Sequence, residues 1–413
     1  MGWIDHAIWW HVYPLGFTGA PIREDHGTPR PRLRRLIPWL DHAIALGCSG
    51  LLLGPIFASE THGYDTTDLL GIDPRLGTLE DFDDLVAQCR ARGLRLVLDG
   101  VFSHVGRGHP RVEAELRSPD PDPTRRLFDI DRSTAEAPTP RVFEGHDSLV
   151  RFDHSSPAVR DHVRSVMTYW LGRGADGWRL DAAYSVAPEF WAQVLPPVRD
   201  QYPDAWFLGE VLHGDYTDFV SRSGVDTVTQ YELWKAIWSS IVDRNFFELD
   251  WSLQRHNTFL EHFVPQTFIG NHDVTRIASR VGQDGSALAL AILMTVGGIP
   301  SIYYGDEQGC TGVKEEGLGG DDAIRPSFPE APDGMSSLGD DMVRAHQELI
   351  GMRRRYPWLL RARTQPLVVE NERYRYRTSS EDGSQSLEVE LDLSNMPRAT
   401  VTDPFGTVVW TSG

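Results

Sequence analysis

Eight short apolar runs recur along the chain, and between them the spacing of apolar residues widens to that of a helix. The runs lie at 8–13, 50–57, 94–102, 174–182, 205–211, 225–231, 266–271 and 299–304. Those at 50–57 (GLLLGPIF) and 94–102 (LRLVLDGVF) are apolar on both faces, as a strand covered by helices must be. Helical spacing predicts helices at 33–46, 78–92, 157–172, about 188–200, a short stretch before 225, a Trp/Ile/Phe-rich segment to 247, 284–297 and 338–355. Eight strands each followed by a helix predict an α/β fold, a closed parallel (β/α)8 TIM barrel. At 413 residues the chain is longer than one compact core requires, but barrels with insertions reach that size.

Two stretches break the alternation. Residues 105–155 are poorly periodic, rich in Pro, Asp and Arg, and too long for a βα loop, which predicts a small inserted domain after strand three. Beyond Arg361 the period drops to two in LVVENERYRYRT, QSLEVELDL, ATVTDPF and TVVWT, predicting a short antiparallel β domain. The expected layout is a barrel at 1–104 and 156–358, an insert at 105–155 and a C-terminal β domain at 359–413.

Barrels carry their chemistry at the carboxyl ends of their strands. Those ends supply Asp99 and His104 after strand three, Arg179 and Asp181 at strand four, Glu210 at strand five, and His272 with Asp273 at strand seven. In GADGWRLDA, Arg179 and Asp181 share one face of the strand. Asp181 and Glu210 are 29 residues apart, one βα unit, so they belong on neighbouring strands. Two carboxyl groups about 5–5.5 Å apart suit retaining glycoside hydrolysis. Context predicts that Arg179 depresses the pKa of Asp181 for attack, and that apolar surroundings raise Glu210 for proton donation.

Charge narrows the ligand. With 40 basic and 59 acidic side chains the formal charge is −19, which repels nucleic acid and anionic membrane and favours a neutral ligand. Cys48, Cys89 and Cys310 are too few and too scattered for a disulfide framework or a zinc cluster. With no secretory apolar segment at the N-terminus and no run of about 18 apolar residues, a cytoplasmic location is expected. The expected assembly is a monomer or homodimer.

Six segments in order resemble the α-amylase family of glycoside hydrolases over about 350 residues. DGVFSH (99–104), GWRLDAA (177–183), GEV (209–211) and GNHD (270–273) resemble its four signatures. HGYDTTDLLGIDPRLGT (62–78) resembles its terminal sugar subsite and GIPSIYYGDE (298–307) its eighth strand. The likeness is nearer to small intracellular members acting on maltooligosaccharides or cyclomaltodextrins than to secreted starch amylases. It implies Asp181 as nucleophile, Glu210 as acid/base and Asp273 as the residue gripping the sugar hydroxyls. It further implies that Arg179 orients Asp181, that His104 and His272 bind hydroxyls, that Tyr64 stacks beneath the sugar, and that Asp65 and Asp99 complete the subsite. Arg325 resembles a family position near the substrate, with a solvated rim as the alternative.

Two departures stand out. Ser103 replaces an asparagine of the first signature, and Tyr184 with Ser185 replaces a Lys-His pair of the second. In calcium-dependent members that asparagine and histidine help to hold the ion, and a serine hydroxyl is a poor substitute, so the usual calcium and any other cofactor are expected to be absent. Three other readings stay open: transglycosylation, which shares the covalent intermediate; a carbohydrate-binding barrel without catalysis; and a metal hydrolase using His104, His272, Asp99 and Asp273, which a His-x-His pair at the first strand would have favoured.

Overall fold

The computed structural model describes residues 2–23, 28–118, 126–133 and 138–412. Eight parallel strands, Trp9–Val12, Gly50–Leu53, Arg95–Gly100, Gly177–Leu180, Trp206–Gly209, Thr227–Val228, Gln266–Phe268 and Ile299–Tyr303, form one sheet, numbered here one to eight. Strand one pairs with strands two and eight, and a parallel bridge from Thr229 to Gln266 joins strands six and seven, so the barrel closes. Trp9, Leu52, Val97, Trp206, Leu208 and Ile299 fill its lower interior, Trp9 stacked on Trp206 at 5.4 Å. The interior is packed, which confines a ligand to the rim.

Register brings the chemistry together. Arg179 lies opposite Asp99 on strand three and Leu208 on strand five. The ladder continues one step past the strand ends, Asp181 N–H donating to Gly100 O and Glu210 N–H to Leu180 O. The approach to strand four explains its glycines. The helix Pro157–Arg173 starts on Ser156, whose hydroxyl accepts from Ala158 N–H, and ends at Gly174 with φ 112°, a conformation other residues rarely adopt. A Cβ at Gly177 would meet Trp206 O at 2.3 Å.

The structure departs from sequence expectation in four places. An antiparallel hairpin, Phe57–Ser59 with Thr66–Ile72, follows strand two and carries Tyr64 and Asp65, where no strand was expected. The Trp-rich segment expected to form one helix to 247 forms two, Tyr231–Val242 and Phe247–Phe259, broken near Arg244 at φ 50°. The helix expected at 284–297 spans Ile277–Thr295 with a kink at Gly282. LVVENERYRYRT lies across two strands, so the C-terminal sheet has five: Arg363–Val369, Arg373–Ser379, Ser386–Asp392, Arg398–Thr402 and Val408–Thr411. That sheet is anchored to the barrel helices by Tyr376 Oη to Thr295 Oγ1 at 2.6 Å and Tyr374 Oη to Asp250 Oδ1 at 3.0 Å.

Within 105–155 the described residues hold a helix, Pro110–Arg117, and the strands Val142–Phe143 and His146–Arg151, the latter paired with His104–Gly106. Residues 119–125 and 134–137 of that stretch lie outside the described residues.

Candidate active site

Arg179 is the hub of the barrel mouth. Its Nη1 donates to both oxygens of Asp99, at 2.8 and 2.7 Å, and its Nη2 reaches Glu210 Oε1 at 2.5 Å. Asp181 Oδ1 is farther, at 3.4 Å from Nη1. All four side chains are buried, so one cation serves three carboxylates away from bulk water. Glu210 Oε1 also accepts from Tyr231 Oη at 3.1 Å, and its Oε2 accepts from Ala182 N–H at 2.9 Å. Ala182 makes that contact from a left-handed backbone, φ 44°. A residue of this kind costs on the order of 1–3 kcal/mol and persists where its surroundings fix it.

Across the mouth, His272 Nε2 lies 2.9 Å from Asp273 Oδ2, and Arg325 Nη2 donates to Asp273 Oδ1 at 3.0 Å. Arg325 Nε holds the His272 carbonyl at 2.9 Å, its Nη2 reaches Asp321 at 3.0 Å, and its guanidinium lies over the Tyr13 ring. Arg325 is therefore part of the cluster and not a solvated rim. Tyr64 stacks on His272 with rings 7° from parallel, and its hydroxyl bonds to His272 Nε2 and donates to Asp99 Oδ2 at 3.0 Å. Hydrogen bonds thus run continuously from Arg325 through Asp273, His272, Tyr64, Asp99 and Arg179 to Glu210.

Electrostatics overturn one expectation. Burial, then the neighbouring Glu210 and Asp99, push Asp181 well above the usual carboxylate range, although Arg179 opposes them. Arg179 was expected to depress this pKa, but its closest contacts go to Asp99 and Glu210, which leaves desolvation dominant at Asp181. Asp273 shows the opposite balance. Burial raises its pKa, but His272, Arg325 and Arg179 together hold the carboxyl well below the usual range. Its side chain is 34% exposed, so it is the acid of the cluster most open to a ligand.

Two expected ligand contacts are not offered. Both nitrogens of His104 are engaged, Nδ1 with Ser103 Oγ at 2.8 Å and Nε2 with the Tyr64 carbonyl at 2.9 Å, and the ring stacks on Phe143. Burial lowers its pKa to about 4, so it is a neutral brace for Tyr64. Asp65 is buried in the turn of the hairpin and accepts from Thr61 Oγ1 at 2.5 Å. The two residues at the family's calcium position do not fit that ion: the Ser103 hydroxyl is committed to His104, and Ser185 Oγ donates to the Ala182 carbonyl. Among the described residues no three His, Cys, Asp or Glu side chains are placed to share a metal ion.

Several site residues were not visible in the sequence. His11 on strand one meets His272 Nδ1 at 3.2 Å, and burial lowers its pKa well below normal. Tyr13 is buried, supports Arg325 and borders a cavity of about 680 Å3 with Arg23, His62 and Asp322. Tyr231 and Asn271 join Glu210 to the Asp273 loop. An alternating run that ends in tyrosine gives no sign that the phenol meets an acid from another strand.

The chain matches the family described as "Alpha amylase, catalytic domain" over residues 25–358. A cyclomaltodextrinase of Geobacillus thermopakistaniensis (strain MAS1) is 28% identical over 95% of this chain and 70% of its own length. A cyclomaltodextrinase of a Bacillus species is 30% identical over 76% of this chain and only 61% of its own, so this chain spans less than two thirds of that relative. Among solved structures, ligand-free cyclic α-maltosyl-(1→6)-maltose hydrolase from Arthrobacter globiformis superposes with a TM-score of 0.81 at 26% identity, covering 99% of each chain.

Proposed function

Starting from the fact that this chain belongs to the α-amylase family, we propose that it is a retaining α-glycoside hydrolase acting on short or cyclic α-linked glucans through a covalent β-glycosyl-enzyme intermediate. The observation that carries this reading is that Asp181 and Glu210 share the Arg179 guanidinium while Asp273, held by His272 and Arg325, faces them. That supplies two acids for the two steps and a third to grip the ring.

In the first step an Asp181 oxygen bonds to the anomeric carbon as the bond from that carbon to the leaving oxygen breaks, and Glu210 gives its proton to that oxygen. In the second, Glu210 takes a proton from water or a sugar hydroxyl, which displaces Asp181. One of the two acids must enter ionised and the other protonated. Crowding by Glu210 and Asp99 favours a proton on Asp181 in the free protein. Before attack that proton passes to Glu210, which leaves Glu210 protonated for the leaving oxygen and Asp181 ionised to meet the positive charge that develops at the anomeric carbon in the transition state. Asp273, Arg325 and His272 take up hydroxyls of the same ring, with Asp99 and Tyr64 beneath.

The named relatives, a cyclomaltodextrinase and a cyclic α-maltosyl-(1→6)-maltose hydrolase, support a small substrate. Incubation with maltotriose and with cyclic maltooligosaccharides tests the reading by its products: shorter sugars are expected, longer ones indicate transfer, and none from either sugar contradicts it. We infer that calcium is not needed, so excess chelator leaves activity and melting temperature unchanged; loss of either contradicts this. A cytoplasmic address is supported by three cysteines that remain unpaired, two of them buried. No described helix is long and apolar enough to cross a membrane.

A further inference from the structure

Glu210 sits in an asymmetric set of donors. Its Oε1 receives two, Arg179 Nη2 and Tyr231 Oη, whereas Oε2 receives one, the backbone N–H of Ala182. The Tyr231 ring cannot wander: it meets Phe268 of strand seven edge-on at 4.9 Å and Trp234 at 5.8 Å.

The direction of the hydrogen bond at Tyr231 is fixed from outside. Asp273 N–H can only donate, and it donates to Asn271 Oδ1 at 2.9 Å. That sets the Asn271 amide so that Nδ2 faces Tyr231 Oη at 2.8 Å and donates to it. The phenol has one proton of its own, and with its oxygen already accepting, that proton goes to Glu210 Oε1. A one-way relay therefore runs from the Asp273 loop through Asn271 and Tyr231 to the acid on strand five.

We propose that Tyr231, oriented by Asn271, is a positioning residue that reserves Oε1 of Glu210 as an acceptor, so that the catalytic proton is carried on Oε2 and faces the glycosidic oxygen. The inference rests on the function proposed above. In the step concerned the Oε2–H bond breaks, the proton passes to the leaving oxygen, and the electron pair left on Oε2 is held by the donors already in place. Burial and the adjacent Glu210 push the Tyr231 phenol well above its usual range, so it keeps its proton and remains a donor. The charged and titratable groups around Glu210 are Arg179 and Asp181 from strand four, Asp99 from strand three, Asp273 beyond strand seven and Tyr184. None of these is displaced by removing the Tyr231 hydroxyl alone.

The test compares Tyr231→Phe with the wild type on maltotriose, whose leaving sugar needs a proton, and on an activated aryl α-glucoside such as the 2,4-dinitrophenyl compound, which does not. The expected result is a fall of about tenfold to a hundredfold in kcat/KM on maltotriose and less than about threefold on the aryl glucoside. The alkaline limb of the kcat/KM profile should also move up by about one pH unit, because a donor to the ionised carboxylate has been lost. Asn271→Asp is the second variant. It keeps the phenol but gives its proton a carboxylate to turn to, and the same selective loss and the same direction of shift are expected. Equal losses on both substrates with an unmoved alkaline limb, in whichever variant retains the native near-UV spectrum, would overturn the relay. A wild-type protein inactive on both glucosides would instead overturn the function on which it rests.

Discussion

On the side of the mouth that carries Asp273, nearly every polar group is held by another: Arg325 by Asp273, Asp321 and a carbonyl, His272 by His11, Tyr64 and Asp273, and Tyr64 by Asp99. On the side beyond Glu210 the surface is more open and mixes exposed apolar side chains with the ion pairs Lys235–Glu248 and Arg255–Glu232. Leu212 is 36% and Trp251 63% exposed, and with Tyr231, Trp234 and Lys235 they line a cavity of about 480 Å3. Tyr184 bridges that side with one hydrogen bond, to Glu144 in the inserted segment. The contrast separates two tasks. A cross-braced polar wall suits holding the hydroxyls of one ring in one geometry, whereas a more open wall suits leaving groups and acceptors of several shapes. On the proposed function, the first wall grips the ring on which Asp181 and Glu210 act, and the second meets the leaving group and the acceptor.

The largest effect should come from the reacting acids. Asp181→Asn is expected to lower kcat by about 10⁴-fold or more on every α-glucoside, measured by initial rates. Glu210→Gln should lose as much on maltotriose but recover much of its rate on aryl glucosides with good leaving groups. Next is the braced wall: Arg325→Ala should cost roughly 10²–10³-fold in kcat/KM on all substrates alike, because the Asp273 carboxylate loses its charge-assisted partner. A loss confined to long substrates would mean that the two walls do not divide these tasks.

The open wall should respond more weakly and more selectively. Tyr184→Phe removes the bond to Glu144 but keeps the ring. The expected change is a few-fold in the ratio of transfer to hydrolysis products, with activated-glucoside hydrolysis altered by less than about twofold, read by product chromatography. The smallest effect is on stability. A carboxyl whose folded pKa is raised holds its proton more tightly in the folded chain, so its contribution is full at low pH and is lost as pH rises through the folded pKa. Asp181→Asn should therefore raise the melting temperature at neutral pH by a few degrees, an expected gain of about 1–2 kcal/mol that fades below about pH 4. No gain at neutral pH would mean that Arg179 does neutralise Asp181.

The contrast also explains what could be read from the chain. The barrel was legible because strands covered on both faces and glycine-terminated helices leave a periodic record, and the acids were legible because each follows such a strand. The contacts of Arg179 were not: adjacency in R-L-D points to Asp181, whereas the register that sets Arg179 beside Asp99 depends on pairing between strands far apart in sequence. The pKa of Asp181 went the other way for the same reason, since desolvation is a property of the folded mouth. His104 looked like a sugar ligand by position, but its nitrogens are consumed by Ser103 and the Tyr64 backbone, a hairpin that alternation did not disclose. Tyr231, Asn271 and His11 act across strands, where sequence spacing carries no signal.

The most direct test of the account is to trap the intermediate. A 5-fluoro-α-glucosyl fluoride slows the second step more than the first, so the protein should gain one fluoroglucosyl mass, and peptide mapping should place it on Asp181. Turnover of the reagent with a label on another residue, or hydrolysis of maltotriose whose first product has the inverted anomeric configuration, would contradict it.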